Sequence, residues 1–317
     1  MTISEAAQRI RAGDVVAFPT ETVYGLGANA LDANAVEKIF AVKGRPKTSP
    51  LIVHVSSIEM AQGVVADWPA LADELAARWW PGPLSLVLPK RTIVPDVVTA
   101  GLPTVGVRVP ANPTALALIR EAGVPIAAPS ANLFTGLSAT TAAHVRQAFG
   151  DRVAVLDGGP CTVGIESTVV AIQGDKLKLL RPGMISLGEI EKVAAREGVP
   201  HPAPGMHERH YSPRTRLIVL ADPGSLPEGR GAWLWREHSL VALTPTQTVV
   251  HVPSVLDIPS VLQIRMPIEP NDYAAKLYST LHDLDRQKLD WIAVEAPPTQ
   301  PEWAAILDRL TRASDKV

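Results

Sequence analysis

Lys43-Gly44-Arg45-Pro46-Lys47 places three cations within five residues at the end of a predicted helix. On a solvated helix face such charges would complement the helix dipole, at roughly 0.3–1 kcal/mol each. Pro46 ends the helix, so they sit on a turn instead. There an arginine fork can meet a phosphate or carboxylate through two parallel bonds. Ser130-Ala131-Asn132 follows a short apolar run and a proline. Its hydroxyl and amide suit phosphate or adenine, but taken alone an ordinary polar turn is the expectation. Gly164-Ile165-Glu166-Ser167-Thr168 enters one β-forming run, and Arg181-Pro182-Gly183 leaves another. Gly25-Leu26-Gly27-Ala28-Asn29-Ala30 matches a loose dinucleotide fingerprint, but six residues separate it from the strand before it. Arg45 also stands where the ribose-binding acid belongs, which argues against a nicotinamide site. A glycine turn passing close to another group is the expectation there.

Two further clusters carry less. His201, His207 and His210 beside Glu208 have the chemistry of metal ligands, but lie in a proline-rich stretch without helical spacing. A polar linker, and no protein-held metal, is the expectation. Trp79 and Trp80 at a helix end read as core or domain contact. No nucleophile pairs with a base, and there is no Walker loop, zinc motif or Gly-x-Ser-x-Gly elbow. The chemistry on offer is binding and charge neutralisation of an anionic small molecule.

These residues need a scaffold that brings strand ends together. Thr2-x-x-Glu5 caps a helix ending near Gly13. Val15 to Phe18 reads as a strand, and Pro19 to Gly25 as a loop. A helix follows from Asp32 to Val42, with Gly44 beyond it. Strands are expected at Leu51–Val55, Leu84–Leu88, Thr104–Val109, Ile126–Ala128 and Val153–Leu156. Helices are expected at Pro69–Trp80, Asn112–Gly123 and Thr141–Phe149. Thr168–Ile172 and Lys176–Leu180 flank a Gly174-Asp175 hairpin turn, and Ser186-x-x-Glu189 caps a helix ending near Gly198. Val199 to Pro213 then holds four prolines and three histidines. Beyond it come strands at Leu217–Leu220, Ala232–Trp235 and Val249–Val252, a long helix at Asn271–Lys288, a strand at Trp291–Glu295 and a helix at Glu302–Arg312. That order predicts a small α/β unit with a partly parallel sheet.

The bulk numbers exclude some classes. The chain has 317 residues, 46% of them hydrophobic, with 30 Lys and Arg against 32 Asp and Glu. Proteins held on a nucleic-acid backbone are usually strongly basic, although a local basic cleft remains compatible with neutrality. The single Cys161 rules out an intramolecular disulfide and Cys-pair zinc sites. No apolar run is as long as a membrane span, and Met1 to Gly13 reads as an amphipathic helix rather than a signal, so a cytoplasmic location is the expectation.

Taken together and in order, several segments resemble the YrdC family of threonylcarbamoyl-adenylate synthases. They are Pro19-Thr-Glu-Thr-Val-Tyr-Gly-Leu-Gly27, Lys43-Gly-Arg-Pro46 with Pro50-Leu51, Pro81-Gly-Pro-Leu84, Val105-Gly-Val-Arg-Val-Pro110, Ser130-Ala-Asn132, Ser167-Thr168 and Arg181-Pro-Gly183. Pro204-Gly-Met-x-x-x-His210-Tyr-Ser-Pro213 and Glu295-Ala-Pro-Pro298 resemble the long, two-domain form. The resemblance implies an α/β fold: a twisted mixed sheet with flanking helices around a concave anion-binding cleft, plus a smaller C-terminal Rossmann-like α/β domain. It implies a catalytic domain over 1–198, a linker or lid over 199–213 and a second domain over 214–317.

The same resemblance implies a nucleotidyltransferase condensing L-threonine, bicarbonate and ATP into threonylcarbamoyl-AMP and pyrophosphate. Mg²⁺ would accompany the phosphates, and a partner transferase would carry the product to tRNA. By matching position, Thr22, His54, Arg108, Ala128 and Ser167 would hold threonine, with Arg108 forking onto its carboxylate. Lys43, Arg45, Ser49, Thr104, Ser130, Asn132, Ser138 and Arg181 would hold ATP and the adenylate, Lys43 and Arg45 carrying catalysis. Tyr211 would close as a lid. Ser49 replaces a usual Asn, and Ala128 a frequent Ser or Thr. The alternative from another class is an RNA-binding module, without ATP turnover, using the same concave surface. A hydrogenase-maturing relative needs the zinc-type cysteine pairs that this chain lacks.

Overall fold

The structure is a computed structural model and describes residues 1–174, 176–194, 198–200, 211–221, 223–236 and 261–314. Helix α1 (Ile3–Arg11) starts at the expected capping box: Thr2 Oγ1 accepts from the Glu5 amide at 3.2 Å, and Glu5 accepts from the Thr2 amide at 2.7 Å. After β1 (Val16–Phe18) comes the first correction. Gly25 to Asn29 is not a turn but strand β2 (Gly25–Asn29), antiparallel to β1. A Cβ on Gly27 would lie 2.6 Å from the Phe18 ring and 2.7 Å from Ile126. The glycine is there for close packing between strands, which a one-dimensional pattern does not reveal.

Helix α2 (Ala33–Lys43) is capped by Asp32 and ends at Gly44, whose φ of 63° suits glycine. Next come β3 (Ile52–His54), α3 (Ile58–Gln62), α4 (Ala70–Trp79), β4 (Leu84–Pro89), α5 (Asp96–Thr99) and β5 (Thr104–Arg108). The short helices α3 and α5 lack the length that makes periodicity legible. Asn112 caps α6 (Pro113–Ala122), with Pro113 in its first turn as expected. Then follow β6 (Ile126–Ala127), α7 (Ala142–Phe149), β7 (Ala154–Val155), β8 (Thr168–Gln173), β9 (Lys176–Arg181), α8 (Leu187–Ala194) and β10 (Gly198–Pro200).

Among the described residues these strands form one mixed sheet in the order β10-β9-β8-β4-β5-β3-β6-β2-β1-β7. Its parallel pairs are β1/β7, β3/β5, β4/β8 and β9/β10. Apolar residues from both faces bury against α1, α2, α4, α6 and α7.

The remainder contains β11 (Arg216–Leu220), β12 (Gly231–Arg236), β13 (Val261–Met266), α9 (Pro270–Asp285), β14 (Trp291–Glu295) and α10 (Ala304–Ala313). Its sheet runs β11-β14-β12-β13. Among the described residues every pairing in it is parallel, where a partly parallel sheet was expected. β13 was not anticipated. The strand expected at 249–252, the His201, His207, Glu208 and His210 cluster, and Asp175 lie outside the described residues. The apolar core under this second sheet includes Val23, Leu137 and Ile165 from segments that connect elements of the first unit. The two sheets therefore share buried surface instead of meeting across water.

Candidate active site

One cleft gathers segments far apart in sequence. Its wall holds Thr20 and Thr22 from between β1 and β2, Gly25 at the start of β2, Arg45 and Ser49 after α2, and His54 at the end of β3. Thr104 and Arg108 come from the two ends of β5, and Ala128 and Ser130 from beyond β6. Glu166 and Ser167 precede β8, Arg181 ends β9, Tyr211 comes from the linker, and Arg312 arrives from α10. Of the residues picked out by sequence, all but Lys43, Asn132 and Ser138 line this wall.

The other three are tied to partners within the protein. The Lys43 ammonium is buried and donates to the Ser130 carbonyl at 2.5 Å and to the Asn132 carbonyl. Burial, with Arg45 nearby, pushes its pKa well below the usual lysine value. It fixes the turn that presents Ser130. Asn132 donates its amide to the Leu133 and Gly136 carbonyls at 2.7 and 2.8 Å, and accepts from Ser130 Oγ at 2.5 Å. Ser138 donates to Glu166 Oε1 at 2.5 Å. All three shape loops behind the wall.

Arg108 is held on three sides. Nε donates to the Gly82 carbonyl at 3.1 Å and Nη1 to Thr22 Oγ1 at 2.9 Å. Nη2 lies 2.6 Å from Glu21 Oε1, an ion contact whose alignment falls outside hydrogen-bond geometry. Thr20 gives its single proton to the Val23 carbonyl at 2.6 Å, so Thr22 is the donor in their 2.8 Å contact. A directed chain results: Arg108 to Thr22 to Thr20 to Val23. Of the guanidinium's five N–H groups, both terminal nitrogens keep donors beyond these bonds.

His54 sits edge-on to Phe18 at 5.8 Å. Burial, with Arg108 adding, lowers its pKa to about 3, so the ring is neutral. Among the described residues its Nδ1 has no partner, and neither has Nε of Arg45. Buried polar atoms left unpaired at a cleft wall are where a ligand's polar groups belong. Burial pulls Arg45 down to about 10, still fully charged at neutral pH.

Arg181 Nε donates to the Ser167 carbonyl and Nη2 to Ser167 Oγ, both at 3.1 Å. Ser85 touches the same Oγ at 2.9 Å. Glu166 is the acid of this wall. Burial opposes its charge, but Arg309, Arg181 and Ser138 outweigh it and hold its pKa at about 2. Arg309 Nε donates to it at 2.8 Å and Tyr278 Oη at 3.2 Å. Arg309 also lies 5.0 Å from the Tyr211 ring, and Tyr278 6.1 Å from it. Sequence reading missed Glu166, though it stands inside a quoted motif. It also missed Arg309, Tyr278 and Arg312, which read as ordinary helical residues.

Fold and site together define an α/β protein with an arginine- and hydroxyl-walled cleft for a small anionic ligand. The chain belongs to the Sua5/YciO/YrdC family: the family profile described as "Telomere recombination" matches residues 8–183, and one described as "Threonylcarbamoyl-AMP synthase, C-terminal domain" matches 185–315. The threonylcarbamoyl-AMP synthase of Pyrococcus abyssi is 41% identical, covering 98% of this chain and 93% of its own. That of Bacillus subtilis is 42% identical over 98% and 92%. The crystal structure of P. abyssi Sua5 complexed with L-threonine superposes with a TM-score of 0.84 at 38% identity, covering 98% of this chain and 94% of that one.

Proposed function

We propose that this protein is an L-threonylcarbamoyladenylate synthase, a nucleotidyltransferase that joins L-threonine, bicarbonate and ATP. The observation that carries the reading is the single cleft, arginine-walled and holding a neutral buried imidazole, in a chain similar end to end to a relative complexed with L-threonine. The threonine amine adds to carbon dioxide from bicarbonate and loses a proton, giving a carbamate. A carbamate oxygen then attacks the α-phosphorus in line, and pyrophosphate leaves. The nucleophile is already anionic, so no strong protein base is required. Orientation supplies most of the rate, up to ~7–11 kcal/mol.

Thr22, His54, Ser167 and the Ala128 backbone hold threonine, and the remaining donors of Arg108 meet its carboxylate. Arg45, Ser49, Thr104, Ser130 and Arg181 hold ATP, and Tyr211 covers it. Lys43, Asn132 and Ser138 act one layer behind. The donors on the cleft wall are chiefly guanidinium, hydroxyl and imidazole, and Glu166 is ion-paired with Arg309. Mg²⁺ would therefore come with the phosphates of ATP rather than be held by these side chains. The product passes to a transferase that builds threonylcarbamoyladenosine in tRNA. We place the catalytic unit at 1–198; β10 pairs with β9 and carries the first sheet two residues past that boundary. The linker is 199–213 and the second unit 214–317.

The test is pyrophosphate release from ATP with threonine and bicarbonate, omitting each in turn. Release requires all three; release that ignores threonine overturns the reading. Salt-sensitive RNA binding without ATP turnover would replace it with the RNA-binding alternative.

A further inference from the structure

Helix α10 belongs to the second sheet's unit, yet its Arg312 lines the cleft built by the first. The side chain is only 18% exposed. Asp308, one turn earlier, accepts from Arg312 Nε at 2.9 Å and lies 2.8 Å from Nη2. The other Asp308 oxygen accepts from Arg309 Nη1 at 2.7 Å, and Arg309 in turn holds Glu166. A chain of alternating charges thus runs from the cleft wall through α10 and back to the wall.

That chain leaves Nη1 of Arg312 outside its bonds to Asp308. Arg45 and Arg181 stand on the same wall. Among the described residues the one acid there, Glu166, is already matched by Arg309. Arg45 and Arg181 disfavour each other's charge, and Arg312 shares Asp308 with Arg309, so the group carries an excess of positive charge that an anion in the cleft would offset. A fork with fixed stem and free terminal N–H groups is the geometry that phosphate oxygens meet.

We propose that Arg312 is a phosphate-binding residue of this site, closing an arginine cradle with Arg45 and Arg181 around a triphosphate or pyrophosphate. The second unit thereby supplies a ligand group directly, in addition to packing against the first. This rests on the adenylate-forming reading for the identity of the phosphate, though not for the binding of a polyphosphate.

The experiment compares wild type, Arg312→Ala and Arg312→Lys by calorimetric titration with inorganic pyrophosphate, a non-hydrolysable ATP analogue and L-threonine. Thermal midpoints are recorded for each. Arg312→Ala weakens pyrophosphate and the analogue by about ten-fold or more. Arg312→Lys falls between, because it restores charge without the fork. Threonine affinity and the midpoint stay close to wild type. In turnover, KM for ATP rises while KM for threonine does not.

Phosphate affinities within about two-fold of wild type in Arg312→Ala overturn the inference. So does an equal loss for threonine and phosphate ligands, which marks a purely structural role. If wild type shows no threonine-dependent turnover but binds pyrophosphate through Arg312, the functional reading falls and this one stands. If wild type turns over normally and Arg312→Ala binds as well as it does, the reverse holds. If wild type binds neither phosphate ligand, both fall.

Discussion

Lys43 and Arg45 lie two residues apart, but only Arg45 faces the cleft. Their substitutions should therefore separate. Arg45→Ala is expected to lower threonine-dependent pyrophosphate release about a hundred-fold or more, with the urea midpoint unchanged. Lys43→Met keeps the stem but strips the donors from the Ser130 and Asn132 carbonyls. It should cost about 1–3 kcal/mol of unfolding free energy as well as activity. An unaltered urea midpoint for Lys43→Met would contradict the role assigned to it. Substrate choice is also a matter of single groups. A cleft that pairs the threonine hydroxyl rejects valine strongly, whereas serine differs by one methyl, worth only ~1–3 kcal/mol. Competition between threonine and serine should give a kcat/KM ratio below about a thousand. A larger ratio would require discrimination that this wall does not supply.

Elements succeed or fail here by how they pack. β2 exists because glycine at position 27 lets the Phe18 ring and Ile126 approach from either side. Gly27→Ala forces a methyl within 2.6 Å of that ring. Overpacking of this kind costs about 1–3 kcal/mol. Denaturant unfolding should show that loss. A variant as stable as wild type would mean that the β1/β2 pair can open without penalty. β2 also leads into the chain reversal that carries Ala128 and Ser130, through its pairing with β6 and the Gly25–Ser130 bridge. KM values for both substrates should shift along with stability.

Across the whole molecule, the two units meet at a second buried point. His144 on α7 stacks on His282 on α9, with ring centroids 3.9 Å apart. His282 Nε2 also lies 3.1 Å from the Ser138 carbonyl. Burial, then His282 and Arg286, lowers His144 to about 3; burial lowers His282 as well, against Asp285 and Asp283. In the unfolded chain both protonate near the ordinary histidine value of about 6.5. Folded pKa values below the unfolded ones mean that their share of stability is complete above about pH 6.5 and is lost as pH falls toward the folded values. The thermal midpoint should drop from pH 7 to pH 5. In His144→Phe, which keeps a ring but cannot titrate, the drop should shrink. It should not vanish, because His54 is lowered to about 3 and titrates in the same window. An identical pH slope in wild type and His144→Phe would remove the stacked pair from the account.

Much of the site was legible in one dimension. Helix caps at Thr2 and Ser186 are local hydrogen-bonding events, written within three or four residues, and the structure forms both of them. The Lys43–Arg45 turn, Ser130, Ser167 and Arg181 could be picked out because cations and hydroxyls beside strand ends are also local patterns. What residue types cannot encode is which polar group turns toward the ligand and which turns toward the protein. Lys43 and Arg45 differ in that respect only because the Ser130–Asn132 turn passes over one of them. The Gly25–Asn29 segment reads as a turn until Phe18 and Ile126 are seen on both sides of Gly27. Arg309 and Arg312 look like a helix's solvent-facing cations until α10 is packed against Glu166 and the cleft. Local chemistry is fixed by neighbours along the chain. Facing, burial and pairing of charges are fixed by neighbours across space, and only the folded molecule brings those together.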